Sequence, residues 1–467
     1  MNKLIVFFFF LISSSAFSQN HWKAIGSSSL NRAVRTLFPD SVGNQLLIGG
    51  EFKFYDTIEV NGVVGWDGYQ FNKLDCGLGG CSSVSCGGVL QFERFKNELY
   101  SLFYEDSIGC QRIHHVAKWN GSNWISLSQE FFNGGSSIGP YSLSKLDSVL
   151  IVAGGFDSIV NHKAHGIAKY DGNLWDTAFY CNLFTDNYLL IHPFINYHSS
   201  VYAQNFLFDT LGHEQFFSVW NGSCWDRVGN AFSNRNGPIF KMIVFDNELY
   251  IAGAFSKSRD SLAPGNGIAR WNGSRWDDLR GGVRLNSIAY LGAITDMAIF
   301  NNELYVVGAF ENAGSVHSIN IAKWTGSRWC GVRDTFDAGI SNIAFLRDTL
   351  FIAGNFHKIN SDSINYLAKL GDFSIFDTCE VVLQINEANL SEVKIYPNPT
   401  TDIIAIESND PLIEVSLFDL LGRRKFSKFY NGTYSDFMDL RNFDAGTYII
   451  FIKGKNANFF KKIIKQP

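Results

Sequence analysis

The sequence predicts an all-β protein: a seven-bladed β-propeller followed by a small immunoglobulin-like β-sandwich. Three observations carry this expectation. A phrase built on an aromatic, an Asp or Asn and a Gly recurs about every 50 residues, a period typical of propellers and solenoids. A second aromatic, usually Trp, follows each Gly by about three residues, as in two facing strands of a hairpin. Near Cys379 the repeat stops, and a different pattern of short apolar runs and Gly turns begins.

Composition bounds the rest. At 18% charged and 46% hydrophobic, the chain is globular rather than disordered. A net charge of -5 offers no concentrated basic surface, so nucleic acid is not an expected partner. Arg423-Arg424-Lys425 and Lys461-Lys462 read as a solvated face.

Residues 1–18 read as a signal peptide. Lys3 supplies the positive end, Leu4 to Ile12 the apolar core, and Ala16-Phe17-Ser18 a small-x-small cleavage site. That apolar run is too short to span a bilayer core, which takes about 20 residues, so no transmembrane segment is expected. No Cys follows the cleavage site, which argues against a lipid-anchored lipoprotein.

Residues 19–379 hold the propeller. The repeated phrase reads Gly65-Trp66-Asp67-Gly68, Lys118-Trp119-Asn120-Gly121, Lys169-Tyr170-Asp171-Gly172, Val219-Trp220-Asn221-Gly222, Arg270-Trp271-Asn272-Gly273 and Lys323-Trp324-Thr325-Gly326, with a worn copy at Lys369-Leu370-Gly371-Asp372. Blade five shows the unit best. Ile239 to Phe245, Leu249 to Phe255, Ile268 to Trp271 and Arg275 to Leu279 read as four short strands. Asp246-Asn247-Glu248 reads as a tight polar turn, and Asn272-Gly273 as a type I′ turn. The paired aromatics are expected to pack between blades. The seventh copy lacks its own fourth strand, and His21-Trp22-Lys23-Ala24-Ile25 resembles the missing piece. Trp22 to Ile25 is therefore expected to close the ring and cover its last edge.

Strand parity puts the second-to-third loops and the inter-blade connections on one face. These differ from copy to copy, and variable loops on a repeating scaffold are where specificity resides. Eight cysteines in an exported chain favour disulfides. Cys76, Cys81, Cys86 and Cys110 fall on this face in adjacent blades, so two disulfides are expected among them. Their spacing is not that of a zinc site. No metal, cofactor or catalytic residue is expected: the histidines form no ligand pattern, and neither a nucleophile elbow nor a Ser-His-Asp order is visible. Asp-Ser/Thr-aliphatic triplets, such as Asp56-Thr57-Ile58, Asp157-Ser158-Ile159 and Asp362-Ser363-Ile364, recur in six second-to-third loops. They read as side-chain-stabilised turns with the aliphatic residue tucked inward.

Residues 380–392 read as a linker. Residues 393–467 contain Tyr396-Pro397-Asn398-Pro399, then Val415-Ser416-Leu417-Phe418-Asp419-Leu420-Leu421-Gly422-Arg423, Asp444-Ala445-Gly446-Thr447-Tyr448 and Lys461-Lys462-Ile463-Ile464-Lys465. This ordered set resembles the type A C-terminal sorting domain of type IX secretion cargo in Bacteroidota. The resemblance implies partnership with the type IX machinery, Sec-dependent export and a secreted or outer-membrane-surface location. The blades more loosely resemble kelch and galactose-oxidase-like propellers. The Asp-Ser/Thr-aliphatic triplets resemble the O-glycosylation signal of exported Bacteroidota proteins.

The expected function is binding or adhesion to an extracellular polymer, glycan or protein on the variable face, without catalysis. The alternative is an extracellular carbohydrate-active hydrolase, lyase or oxidase with its site on the same face.

Overall fold

The computed structural model describes residues 22–26, 30–78, 88–103, 107–108, 111–112, 116–127, 131–132, 140–156, 158–159, 162–164, 166–179, 188–209, 212–228, 237–257, 264–285, 292–332, 334–370, 393–419, 424–455 and 458–466. The described elements are all strands, and the chain divides into two compact units, Met1–Cys379 and Glu380–Pro467.

The first unit contains seven four-stranded antiparallel sheets. Their first strands are Val34–Asp40, Val89–Phe95, Pro140–Leu146, Tyr188–Tyr197, Ile239–Phe245, Ala293–Phe300 and Ile340–Leu346. Each packs against the first strands of the sheets before and after it, and the seventh returns to the first. Six sheets take their strands in chain order. The seventh combines Ile340–Leu346, Thr349–Gly354 and Leu367–Leu370 with Trp22–Ala24. Trp22 lies opposite Leu370 and Ala24 opposite Ala368, so the orphan N-terminal segment covers that edge.

The core is divided among the sheet junctions. One buried apolar cluster lies between each successive pair: Leu47 and Leu99 between sheets one and two, for example, and Phe217 and Ile251 between four and five. The cluster joining seven to one holds Ile25, Ile48, Ala353 and Leu367. Each sheet is therefore buried on both faces, which explains the near-continuous apolar second strands, such as Leu-Tyr-Ile-Ala-Gly at 249–253.

The repeated phrase acquires a mechanism. In sheet five, Trp271 and Trp276 face each other across the outer hairpin with ring centroids 5.0 Å apart. Between them, the Asn272 Oδ1 accepts the N–H groups of Ser274 and Arg275, each at 3.0 Å. Asp67, Asn120, Asp171 and Asn221 do the same in their own hairpins. Only Gly273 in this loop has positive φ, at 96°. The type I′ assignment at Asn272-Gly273 is thus corrected: the loop is a four-residue turn closed by the Asn side chain. The I′ geometry lies at the other hairpin, where Asp246 and Asn247 have φ of 50° and 59° between paired Phe245 and Glu248.

The second unit holds Val393–Tyr396, Ile403–Asp419, Arg424–Asp439, Gly446–Gly454 and Asn458–Lys465 in one five-stranded sheet. Ile403–Asp419 runs through irregular pairing between Glu407 and Leu412. Its first part pairs with Val393–Tyr396 and its second with Gly446–Gly454. Pro411 sits at the irregularity, where a bulge lets one strand change direction without leaving the sheet. Ile404, Ile406, Val415, Leu417 and Ile450 from both parts share a single core.

Candidate ligand site at the centre of the first unit

The seven first strands surround a cavity of about 850 Å³. Each carries a register shift near its start, for instance between Ile239 and Lys241 and between Ile340 and Asn342. A bulge leaves a residue unpaired and re-aims the side chains beside it. The second strand accommodates this with glycine: a Cβ on Gly253 would lie 2.1 Å from the Pro238 carbonyl oxygen, and one on Gly308 2.0 Å from that of Ala293.

Thr36, Gln91, Ser142, Lys241, Asp296 and Asn342 come immediately after the bulge and Pro193 lies within the irregularity of its own strand; all seven line the cavity. This ring fastens neighbouring sheets together. Gln91 Oε1 accepts the Leu143 N–H at 2.9 Å, Asp296 Oδ2 that of Ile343 at 3.1 Å, and Asn342 Oδ1 that of Leu37 at 3.2 Å. One residue earlier, the Thr295 hydroxyl donates to the Ile340 carbonyl at 2.7 Å and the Ser341 hydroxyl to that of Val34 at 3.4 Å. In sheet four, where the ring position is Pro193, the buried Gln204 of the second strand accepts the Ile239 N–H at 2.7 Å instead. First strands have an open edge, and these side chains satisfy backbone groups that would otherwise lack partners.

Charge enters at four places. Lys241 Nζ lies 2.8 Å from Asp296 Oδ1, and this carboxylate pushes the lysine pKa above its ordinary value. Burial pushes the Glu93 carboxyl up, although its oxygens accept the Arg94 N–H at 3.0 Å and the Lys145 N–H at 3.3 Å. Arg35 pairs with Glu51 through Nε and Nη2. Phe38, Leu90, Phe92, Phe240 and Met242 supply the apolar wall. The cavity is lined by the opening halves of the first strands, the end at which the inter-sheet connections arrive and from which the second-to-third loops project. Sequence reading identified that face but missed the ring. The missed signal is a polar residue recurring four places before the end of six of the seven first strands, with Pro193 at that place in the other.

None of the described sequence-predicted positions lines this cavity. Cys76 is disulfide-bonded, and its carbonyl accepts the Asn61 Nδ2–H at 2.8 Å. Cys224 and Cys330 are also disulfide-bonded, and no described cysteine is free. Cys81, Cys86 and Cys110 lie outside the described residues, as does Gly422. Of the triplets, Ile159 and Ile364 are buried as expected, but Ile58 is exposed, which corrects the inward reading for that copy. No cluster of three or more metal-ligating side chains occurs among the described residues.

In the second unit, Tyr396 ends the first strand and Pro397 to Pro399 follow directly on it. The Tyr396 hydroxyl donates to Glu407. Asn398 donates through Nδ2 to the Lys462 carbonyl at 2.7 Å and accepts the Ile464 N–H at 2.9 Å, so the motif ties the start of the unit to its last strand. Gly446 opens the strand Gly446–Gly454.

Residues 394–466 match the secretion system C-terminal sorting domain family. The protein is therefore exported by type IX secretion to the cell surface or the extracellular space. No helix among the described residues is long and apolar enough to cross a membrane. A curated relative, ulvan lyase NLR42 of Nonlabens ulvanivorans, is 27% identical over 107 residues, or 23% of this chain. The match spans 20% of that relative's length. A solved structure of the extracellular domain of a hybrid two-component system from B. thetaiotaomicron aligns over 93% of this chain and 73% of its own. At 9% identity and a TM-score of 0.23, that likeness carries no argument.

Proposed function

We propose that the first unit is a seven-bladed, kelch-like β-propeller that binds an extracellular glycan or other polymer at the mouth of its central channel, without turning it over. The second unit delivers it through the type IX machinery and takes no part in binding. The observation that carries this reading is the use made of the carboxylates in the cavity. Asp296 gives one oxygen to Lys241 and the other to the Ile343 N–H, and Glu93 gives its two to Arg94 and Lys145. A general acid or base must hold an oxygen within reach of the substrate's proton, whereas three of these contacts cross to a neighbouring blade and the fourth caps the Arg94 N–H of the same strand.

The test is a glycan and polymer array, with ulvan among the polymers, probed with the full chain. Binding without a change in polymer length supports the proposal. Release of shortened chains bearing unsaturated ends would replace it with lyase activity, the reading suggested by the ulvan lyase relative. Removing residues 393–467 is expected to leave binding intact while retaining the protein in the periplasm; efficient export of the truncated chain would refute the division of labour.

A further inference from the structure

We infer that the channel mouth selects anionic sugars, those carrying a carboxylate or a sulfate ester. This rests on the binding reading above and adds the chemical class of the ligand. The argument is the layering of charge. In both ion pairs that border the cavity the cation is the outer partner: the Arg35 side chain is 53% exposed and Glu51 19%, and Lys241 is 42% exposed and Asp296 14%. Glu93, the other acid in the wall, is half-buried, and both its oxygens are engaged by backbone N–H groups, those of Arg94 and Lys145. A ligand entering the cavity therefore meets two positive groups, with the compensating acids behind them. This runs against the net charge of -5 for the whole chain.

Arg35 comes from sheet one and Lys241 from sheet five, so the two cations reach the cavity from separate parts of the ring. Phe240, the residue before Lys241, leaves 39% of its surface exposed at the same cavity, an apolar face against which the C–H face of a sugar ring can lie. Guanidinium and ammonium groups recognise carboxylates and sulfates by charge-assisted hydrogen bonds. Walls of low dielectric strengthen that attraction over its value in open water.

The experiment is titration calorimetry of the full chain with three oligosaccharides of equal length: a galacturonate oligomer, a sulfated galactose oligomer and the unsulfated galactose oligomer. The expected result is binding of at least one anionic oligomer, ten-fold or more tighter than the neutral one and weakening as salt is raised. The two anionic arms separate carboxylate from sulfate recognition. Arg35→Gln and Lys241→Gln are each expected to weaken anionic binding by ten-fold or more, in proteins whose melting temperature shows them folded. Equal binding of neutral and anionic oligomers, or anionic binding untouched by both substitutions, overturns the charge assignment. If the neutral oligomer binds and Phe240→Ala abolishes that binding, the channel mouth survives as the site. If no oligomer binds, and the array finds no glycan either, the binding reading falls as well.

Discussion

The outer and inner ends of each sheet are held by opposite kinds of contact. At the outer end, a four-residue hairpin makes its own bonds: the Asn272 side chain reaches only Ser274 and Arg275, two and three residues away. At the inner end the bonds cross to the next sheet, as from Gln91 to Leu143 or from Asn342 to Leu37. The outer chemistry is local, so five hairpins repeat it with Asp or Asn and the sixth with Thr325. The inner chemistry needs only some group of suitable reach, so Gln, Asp, Asn, Thr and Ser share the task. Uniformity marks the parts that each sheet solves alone. Diversity marks the parts solved jointly, and there the surface can also be shaped for a ligand.

Substitutions can break this contrast. The largest effect is expected at Trp22, where a strand supplied from the far end of the chain does the work of an outer hairpin. Trp22 is 2% exposed, packs edge-on to Phe336 at 5.7 Å, and donates through Nε1 to Asp334 at 2.9 Å. Trp22→Ala is expected to cost about 3–5 kcal/mol in denaturant unfolding. A loss under about 1 kcal/mol would mean that the seventh sheet holds without its fourth strand.

Asp40 and Arg94 join sheets one and two. Asp40 is fully buried and takes two bonds from Arg94, at 2.9 and 2.7 Å. Burial alone would raise its pKa, but the Arg94 bonds and charge and the Gly43 N–H hold it below the ordinary carboxylate value. The folded value is therefore the lower one. Its stabilisation is present above the unfolded carboxylate range and is lost as pH falls through the folded value. Asp40→Ala is expected to cost about 3 kcal/mol at neutral pH and to flatten the acid limb of the stability profile. An unchanged acid limb would assign that limb to other groups.

Gly253→Ala tests the bulge. Its Cβ would meet the Pro238 carbonyl at 2.1 Å, so the inner strand must shift, at an expected cost of about 1–3 kcal/mol. Ligand affinity should fall as well, because the shift moves Phe240 and Lys241. Asn272→Ala is the smallest and most local change. It removes two turn bonds for about 1 kcal/mol and should leave ligand binding unaltered. If it altered binding as strongly as Gly253→Ala, the division between outer and inner ends would be wrong.

The same contrast decides what was legible in the sequence. The aromatic–Asx–Gly phrase gave the number of sheets, since its bonds lie within six residues, and the worn copy at Lys369-Leu370 pointed to the strand from Trp22. The turn type at Asn272-Gly273 was misread, because Asn-Gly suits a type I′ turn equally well when read without its hydrogen bonds. The ring was illegible one copy at a time: Gln91 or Asn342 alone looks like any polar residue in a strand, and its partner lies in another sheet. Arg424–Asp439 was missed for a related reason. Sixteen residues long and mostly exposed, it lacks the alternation that announces a strand and relies on Ile403–Asp419 for its pairing.

The clasp at Trp22 has a consequence for biogenesis. Trp22 and Asp334 stand 312 residues apart in the chain, and the strand that Trp22–Ala24 covers comes later still. A chain crossing a membrane from its N-terminus delivers the clasp first and its receptor hundreds of residues afterwards. In the interval Trp22 has nothing native to hold, and the growing array ends in a raw sheet edge, open to pairing with other chains. Closure over such a span is slow, because the loop entropy must be overcome before any contact repays it. Once made, the clasp couples the two ends of the first unit, so fraying from either end means opening the whole circle.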